Sequence, residues 1–153
     1  EFSDGYSHAG ASRNTESGQT PYMNYVGAAG GRGGAMVLDN VYQTSTYFDA
    51  DGCYETTFAD PKAIFFWSAT VYNGDGYMFN DVANISSEMN PEQNADGTYT
   101  LHFGCEGKSN NIPTAQGNDT GRFNVLMRHY GPSQMVVDGE YGYNAVQYIR
   151  KSK

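Results

Sequence analysis

Residues 64–76 read IFFWSATVYNGDG, nine residues rich in aromatic and β-branched side chains followed by a short phrase of Asn, Asp and Gly. Aromatic and β-branched side chains favour a pleated strand, whereas Asn, Asp and Gly tolerate the positive φ that a tight reversal needs. A similar phrase occurs at residues 49–52 (DADG) and at residues 94–97 (NADG), each beside further strand-like residues. The sequence therefore predicts a series of β-hairpins.

The composition favours an all-β fold. The 153 residues suffice for one domain with a buried core. The chain contains 19 Gly and 13 Tyr, and only 17% of its residues are charged. Few charges, many aromatic rings and Gly-rich connections indicate a sandwich or barrel rather than a helical bundle. Period-two alternation predicts about seven or eight strands, the number expected of a jelly-roll-like antiparallel β-sandwich.

The chain divides into a polar arm and a strand-rich domain. Residues 1–19 have little to bury, and we expect an extended N-terminal arm that packs on a neighbouring domain or mediates homo-oligomer formation. Residues 20–153 form the predicted sandwich, with one or two short helices near residues 20–29 and 131–136. The predicted strands are 41–48, 53–58, 64–72, 77–79, 98–103, 122–130 and 145–149, and residues 104–121 are predicted to be a long polar loop.

Charge and motif spacing exclude several classes of protein. The net charge of −8 disfavours nucleic acid and anionic membrane, because both require a basic patch. No apolar run approaches the ~18 residues of a transmembrane helix. No metal or other cofactor is predicted, since zinc-ligand spacings are absent and the acidic turn at residues 49–52 lacks the remaining ligands of an EF-hand. The chain begins at Glu1 rather than Met, so we expect it to be part of a longer protein.

Three of the predicted strands, at residues 64–72, 98–103 and 122–130, alternate between an apolar and a polar face. The apolar faces, for example Trp67 with Val71 and Phe123 with Val125, predict the core. If the three strands belong to one sheet, their polar faces converge on one surface. The alternative is that these residues form only the solvated face that antiparallel sheets commonly have. The predicted ligand-binding residues are Ser68, Thr70, Tyr72, His102, Asn124, Arg128 and Tyr130.

We interpret this surface as the site of a non-catalytic ligand-binding or interaction module in an exported or envelope-associated protein. Tyr rings combine apolar contact with a polar tip, which suits a carbohydrate or another small molecule. The alternative is a hydrolase-like enzyme in which Ser68, His102 and Arg128 act together, although no G-x-S-x-G turn surrounds Ser68. A pocket that joins Tyr72, His102 and Arg128 would favour a ligand-binding or catalytic site over an interaction module.

Cys53 and Cys105 are the only cysteines. They permit one intramolecular disulfide, which would close a long loop, or they remain two reduced thiols. We predict the Cys53–Cys105 disulfide for an exported protein, because such bridges persist in oxidising compartments.

Several motifs after residue 20 resemble those of a known family. These are residues 66–72 (FWSATVY), 94–98 (NADGT), 110–113 (NNIP), 123–132 (FNVLMRHYGP) and 138–139 (DG), preceded by a helix and glycine turn at residues 22–34. In this order they are similar to the motifs of the domain-of-unknown-function family twelve-fourteen. The resemblance implies a jelly-roll sandwich, placed behind an immunoglobulin-like domain in bacterial proteins of exported character. It implies no established activity or cofactor.

The chain departs from this family pattern at three positions. Tyr141 stands where the family has a tryptophan, and Asn111 replaces the tryptophan of another motif. Asn84 falls where many members have an arginine. If those aromatic and basic positions build the family's site, the site of this chain is altered.

Overall fold

A computed structural model describes residues 39–138 and 145–153. The predicted arm at residues 1–19 and the predicted helix at residues 20–29 lie outside these ranges. In the described part, one short α-helix, α1 (Gln134–Asp138), and one 3-10 helix (Ser87–Met89) accompany nine strands. The strands are β1 (Asn40–Thr44), β2 (Phe48–Asp49), β3 (Tyr54–Phe58), β4 (Phe66–Asn73), β5 (Asn84–Ser86), β6 (Tyr99–Phe103), β7 (Asn111–Ile112), β8 (Arg122–Tyr130) and β9 (Arg150–Lys151).

The strands form two sheets, which confirms the all-β, sandwich-like fold. The first sheet has the order β1-β8-β4-β5, and β2 also pairs with β8. The second sheet has the order β7-β6-β3-β9. Every strand pairing among the described residues is antiparallel except that of β6 with β7. Of the three strands with polar faces, β4 and β8 share the first sheet but β6 belongs to the second, so the condition for all three polar faces to converge is not met.

The two sheets enclose one apolar core rich in aromatic rings. Trp67 of β4 meets Phe58 of β3 edge to face, with ring centroids 5.3 Å apart. Phe123 of β8 and Phe103 of β6 lie 6.3 Å apart, centroid to centroid. Each pair joins the first sheet to the second, and such aromatic pairs add about 1 kcal/mol each to the free energy gained by burying their area.

The central strands follow the predicted alternation. In β8, the odd-numbered residues are buried and the even-numbered residues are partly or fully exposed, and the strand spans the predicted residues 122–130. Phe123 and Val125 therefore face the core, while Arg128 and Tyr130 face outward. Strand β4 is buried along most of its length because it lies between β8 and β5.

The three Asp-Gly and Asn-Gly phrases all form tight turns. In each turn the Gly N–H donates to the carbonyl three residues earlier, at 3.1 Å for Gly52, 3.0 Å for Gly76 and 2.9 Å for Gly97. The last two glycines have φ values of 86° and 84°, which L side chains rarely adopt. The turns at residues 73–76 and 94–97 reverse the chain between antiparallel segments.

The turn at residues 49–52 is not a hairpin, contrary to the prediction. It carries the chain from β2 in the first sheet to β3 in the second. Here Gly52 is required by space, since an added Cβ would lie 2.4 Å from the ring of Tyr54. A turn phrase thus predicts a reversal, but it does not specify whether the next strand pairs with the previous one.

Other predicted elements differ near the end of the chain and in the loops. Residues 145–149 were predicted as a strand, but residues 145–148 form a turn and the last strand is confined to Arg150–Lys151. Ala145 and Val146 are nonetheless buried, and the carbonyl of Ala145 accepts a hydrogen bond from the Thr56 hydroxyl at 2.5 Å. Burial in the core explains the apolar pattern there. Residues 77–79 form no strand, and β7 interrupts the predicted loop at residues 104–121.

Cys53 and Cys105 are joined by a disulfide, with their Cα atoms 4.8 Å apart. Cys53 precedes β3 and Cys105 follows β6, and these strands pair with Tyr54 opposite Phe103. The bridge therefore fastens one end of a strand pair within the second sheet. It does not connect the two sheets.

Candidate functional site

The outer face of the first sheet brings together polar side chains from four strands. The strand register places Tyr42 of β1, Arg128 of β8, Ser68 of β4 and Ser86 of β5 in one row across the sheet. Because side chains alternate along a strand, this row lies on the face opposite the core residue Trp67. The next row along the same strands contains Thr70 opposite Asn84.

Arg128 is held by side chains of the neighbouring strand. Its Nη1 atom donates to the Thr70 hydroxyl at 2.8 Å, and its Nη2 atom donates to the Tyr72 hydroxyl. The guanidinium carbon also lies 5.8 Å from the centroid of the Tyr72 ring. The Thr70 hydroxyl donates in turn to Oδ1 of Asn84 at 3.1 Å. This chain of hydrogen bonds spans β8, β4 and β5 and fixes the position of the positive charge.

A depression of about 360 Å³ opens above these residues. Ser68 and Ser86 line its floor and are 6% and 7% exposed. Among the described residues, neither serine hydroxyl has a hydrogen-bond partner. The depression is lined by Phe66, Ser68, Thr70, Tyr72, Met78, Asn84, Ser86, Glu88, Arg128 and Tyr130. It combines a fixed cation, two available hydroxyl groups and several apolar surfaces.

Aromatic rings form one wall of the depression. Phe66 and Tyr130 face each other on adjacent strands and stack with their centroids 4.4 Å apart. Close by, the pKa of Tyr42 is raised, mainly because burial disfavours the phenolate and also because its hydroxyl hydrogen bonds to that of Tyr130. The positive charge of Arg128 acts in the opposite direction on the same pKa. The phenol of Tyr42 is thus neutral at physiological pH.

Arg128 has no acidic partner in the described part of the chain, where no carboxylate lies within ion-pair distance of its guanidinium. Of the residues that line the depression, only Glu88 is acidic, and its side chain is exposed. Of the other described arginines, Arg150 pairs with Glu55 at 3.5 Å, whereas Arg122 lies over the ring of Tyr47 and, like Arg128, has no carboxylate within ion-pair distance in the described ranges.

Five of the seven predicted ligand-binding residues line this depression: Ser68, Thr70, Tyr72, Arg128 and Tyr130. Asn124 lies opposite Tyr72 on the same sheet but does not line it. The sequence reasoning missed the contributions of β5 and its surroundings, because residues 80–93 gave no clear period. The sequence does contain a signal for β5, namely the alternation at residues 84–86. Ile85 packs inward against the core, whereas Asn84 and Ser86 line the depression. Asn84 is one of the family departures, and this departure therefore falls within the depression.

His102 does not join the other predicted residues. It lies on β6 in the second sheet, where its Nδ1 atom hydrogen bonds to the Ser109 carbonyl at 2.7 Å and its Nε2 atom lies 3.7 Å from Glu55 Oε2. An imidazole there cannot act as a base for Ser68, which lies in the other sheet. The hydrolase hypothesis built on Ser68, His102 and Arg128 is therefore wrong in its geometry.

A second depression, of about 530 Å³, lies among residues 50–51, 104–107 and 111–116, which include part of β7. Its acidic side chains are Asp51 and Glu106. Over residues 39–138 and 145–153, no three potential metal-ligating side chains cluster together. Two carboxylates without a third ligand do not define a metal centre.

The fold and the depression define the class of protein: a β-sandwich domain that presents a polar depression on the outer face of one sheet. The model of the family described as "Protein of unknown function (DUF1214)" matches residues 34–134. The chain belongs to this family, which confirms the resemblance found in its motifs.

Two solved structures share the fold. The VPA0106 protein from Vibrio parahaemolyticus is 22% identical, with a TM-score of 0.66 over 89% of this chain and 36% of that chain. A putative uncharacterized protein from Burkholderia cenocepacia is 18% identical, with a TM-score of 0.51 over 62% of this chain and 27% of that chain. This chain thus spans about a third of the length of the first protein and about a quarter of that of the second. No curated protein is similar enough to count as a match.

None of the helices in the described ranges is long and apolar enough to cross a membrane.

Proposed function

We propose that this domain is a non-catalytic module that binds a small ligand in the depression on the outer face of the first sheet. The observation that carries the proposal is Arg128, a cation fixed by Thr70 and Tyr72 but without an acidic partner in the described chain. Small-molecule sites are typically concave and combine apolar walls with a few fixed polar groups. Two serine hydroxyls on a rigid sheet supply such groups.

The parent protein acts, in this proposal, in an exported or envelope-associated setting. The disulfide between Cys53 and Cys105 supports that setting, because structural disulfides are rare in reducing compartments. The interaction with a preceding immunoglobulin-like domain and homo-oligomer formation through residues 1–19 remain predictions. The first rests on the resemblance, and the second on the polar composition of the arm.

A binding screen on the whole chain tests the proposal. A set of small organic acids, amides and monosaccharides is measured by calorimetry against wild type and against Ser68→Val, which replaces a floor hydroxyl with a methyl group and adds a second methyl group. We expect a ligand whose affinity falls at least tenfold in Ser68→Val. Thr57→Val is the matched control, because Thr57 bonds to Thr100 in the second sheet, away from the depression. A screen without ligands, or hits that bind Ser68→Val as well as wild type, would overturn the proposal.

A further inference from the structure

We infer that the ligand of this site is a small organic carboxylate, bound through Arg128 with its apolar part against the aromatic wall. The inference rests on the proposed function and names the chemical class of its ligand. It follows from three properties of the described residues: an arginine without a counter-ion, hydrogen-bond donors left over beside it, and apolar surface next to both.

The charge of Arg128 is the first property. A guanidinium stays protonated at any physiological pH, and partial burial of an unpaired charge is unfavourable. The chain has 17 acidic residues against 9 Lys and Arg, so acidic side chains are abundant, yet none is placed on this guanidinium in the described ranges. A bound anion would supply the missing counter-charge. Two hydrogen bonds from its own sheet hold the group in position before a ligand arrives.

The number of donors is the second property. A guanidinium has five N–H donors, and Thr70 and Tyr72 accept one each, so three remain. Ser68 and Ser86 lie in the same row as Arg128 and add two hydroxyls that have no partner in the described chain. The site therefore offers more donors than acceptors. A planar carboxylate matches the fork of a guanidinium and accepts several hydrogen bonds at once.

The apolar surface distinguishes a carboxylate from a bare inorganic anion. Phe66 stacks on Tyr130 at one side, and Met78 lines the same depression. Phosphate or sulfate would leave these side chains without contact. The exposed carboxylate of Glu88 and the net charge of −8 also disfavour a multiply charged ligand. A monocarboxylate with an apolar body satisfies both parts of the site.

Pairs of ligands in which a neutral group replaces the carboxylate test the inference. Calorimetry on the whole chain compares phenylacetate with phenylacetamide, hexanoate with hexanamide and galacturonate with galactose, and includes inorganic phosphate. We expect at least one carboxylate to bind at least tenfold more tightly than its neutral partner and more tightly than phosphate. Binding of the neutral partners at equal strength would overturn the inference but leave the proposed function intact. If no compound binds, both fail.

Variants test whether Arg128 is responsible for the preference for a carboxylate over its neutral partner. Arg128→Gln should reduce carboxylate affinity at least tenfold and leave the neutral partner unchanged. Arg150→Gln removes one positive charge from the second sheet and should have no effect. Should Arg128→Gln fail to fold, as judged by far-UV circular dichroism, Ser68→Ala is expected to weaken carboxylate binding several-fold. Full affinity in Arg128→Gln or in Ser68→Ala would overturn the inference.

Discussion

His129 is a titratable side chain that faces the core of this sandwich. It is 0% exposed, and its Nε2 atom lies 3.3 Å from Oε1 of Gln43 on the neighbouring strand. Burial lowers its pKa from 6.5 to about 4, because the protonated imidazole is disfavoured away from water. The imidazole is therefore neutral in the folded protein under most conditions, and its protonation is linked to unfolding.

This shift predicts a loss of stability in mild acid. Below pH 6.5 the unfolded chain binds a proton at His129, whereas the folded chain does so only near pH 4. Because the unfolded state holds more protons in this window, stability falls as pH decreases, by about 2 kcal/mol at pH 5. Urea unfolding at pH 7.5 and pH 5.0 measures the difference. His129→Gln should show a clearly smaller difference, and an identical pH dependence in both proteins would contradict the argument.

Between elements, the disulfide fastens β3 to β6. Its cysteines are 52 residues apart, so the bridge closes a long loop in the unfolded chain. On the chain-entropy account, closing a loop of this length stabilises the fold by about 4 kcal/mol. The double variant Cys53→Ala and Cys105→Ala should lower the urea midpoint accordingly, and dithiothreitol should lower that of wild type but not that of the variant. Equal midpoints for oxidised and reduced wild type would contradict this.

Strand identity was more predictable than strand pairing. The alternation of β8 and the aromatic, β-branched run of β4 are local properties, so the sequence alone predicted both strands and the residues on their outer faces. The position of β6 depends on which strand it pairs with, and that is decided by packing over long sequence separations. His102 was therefore placed on the wrong sheet, whereas Ser68 and Arg128 were correctly placed on the same outer face.

Over the whole molecule, apolar packing holds the two sheets together. The disulfide lies within the second sheet, and the described connections between the sheets are loops. The aromatic pairs of Trp67 with Phe58 and of Phe123 with Phe103 lie at the interface between the two sheets. Neither sheet can bury its inner face alone. The ligand site on the first sheet therefore depends on the second sheet, although no residue of the second sheet lines it.

This shared core predicts that both sheets unfold in one transition. Trp67 is the only tryptophan and is buried at the interface between the sheets, so its fluorescence reports on contact between them. Urea unfolding followed by fluorescence and by far-UV circular dichroism should give the same midpoint, as expected of two-state unfolding. Phe103→Ala, a truncation in the second sheet, should lower both midpoints together, corresponding to about 3–5 kcal/mol. A fluorescence midpoint well below that of circular dichroism would instead show that the sheets separate before their strands are lost. The first sheet, which carries Arg128, would then be stable without the second sheet.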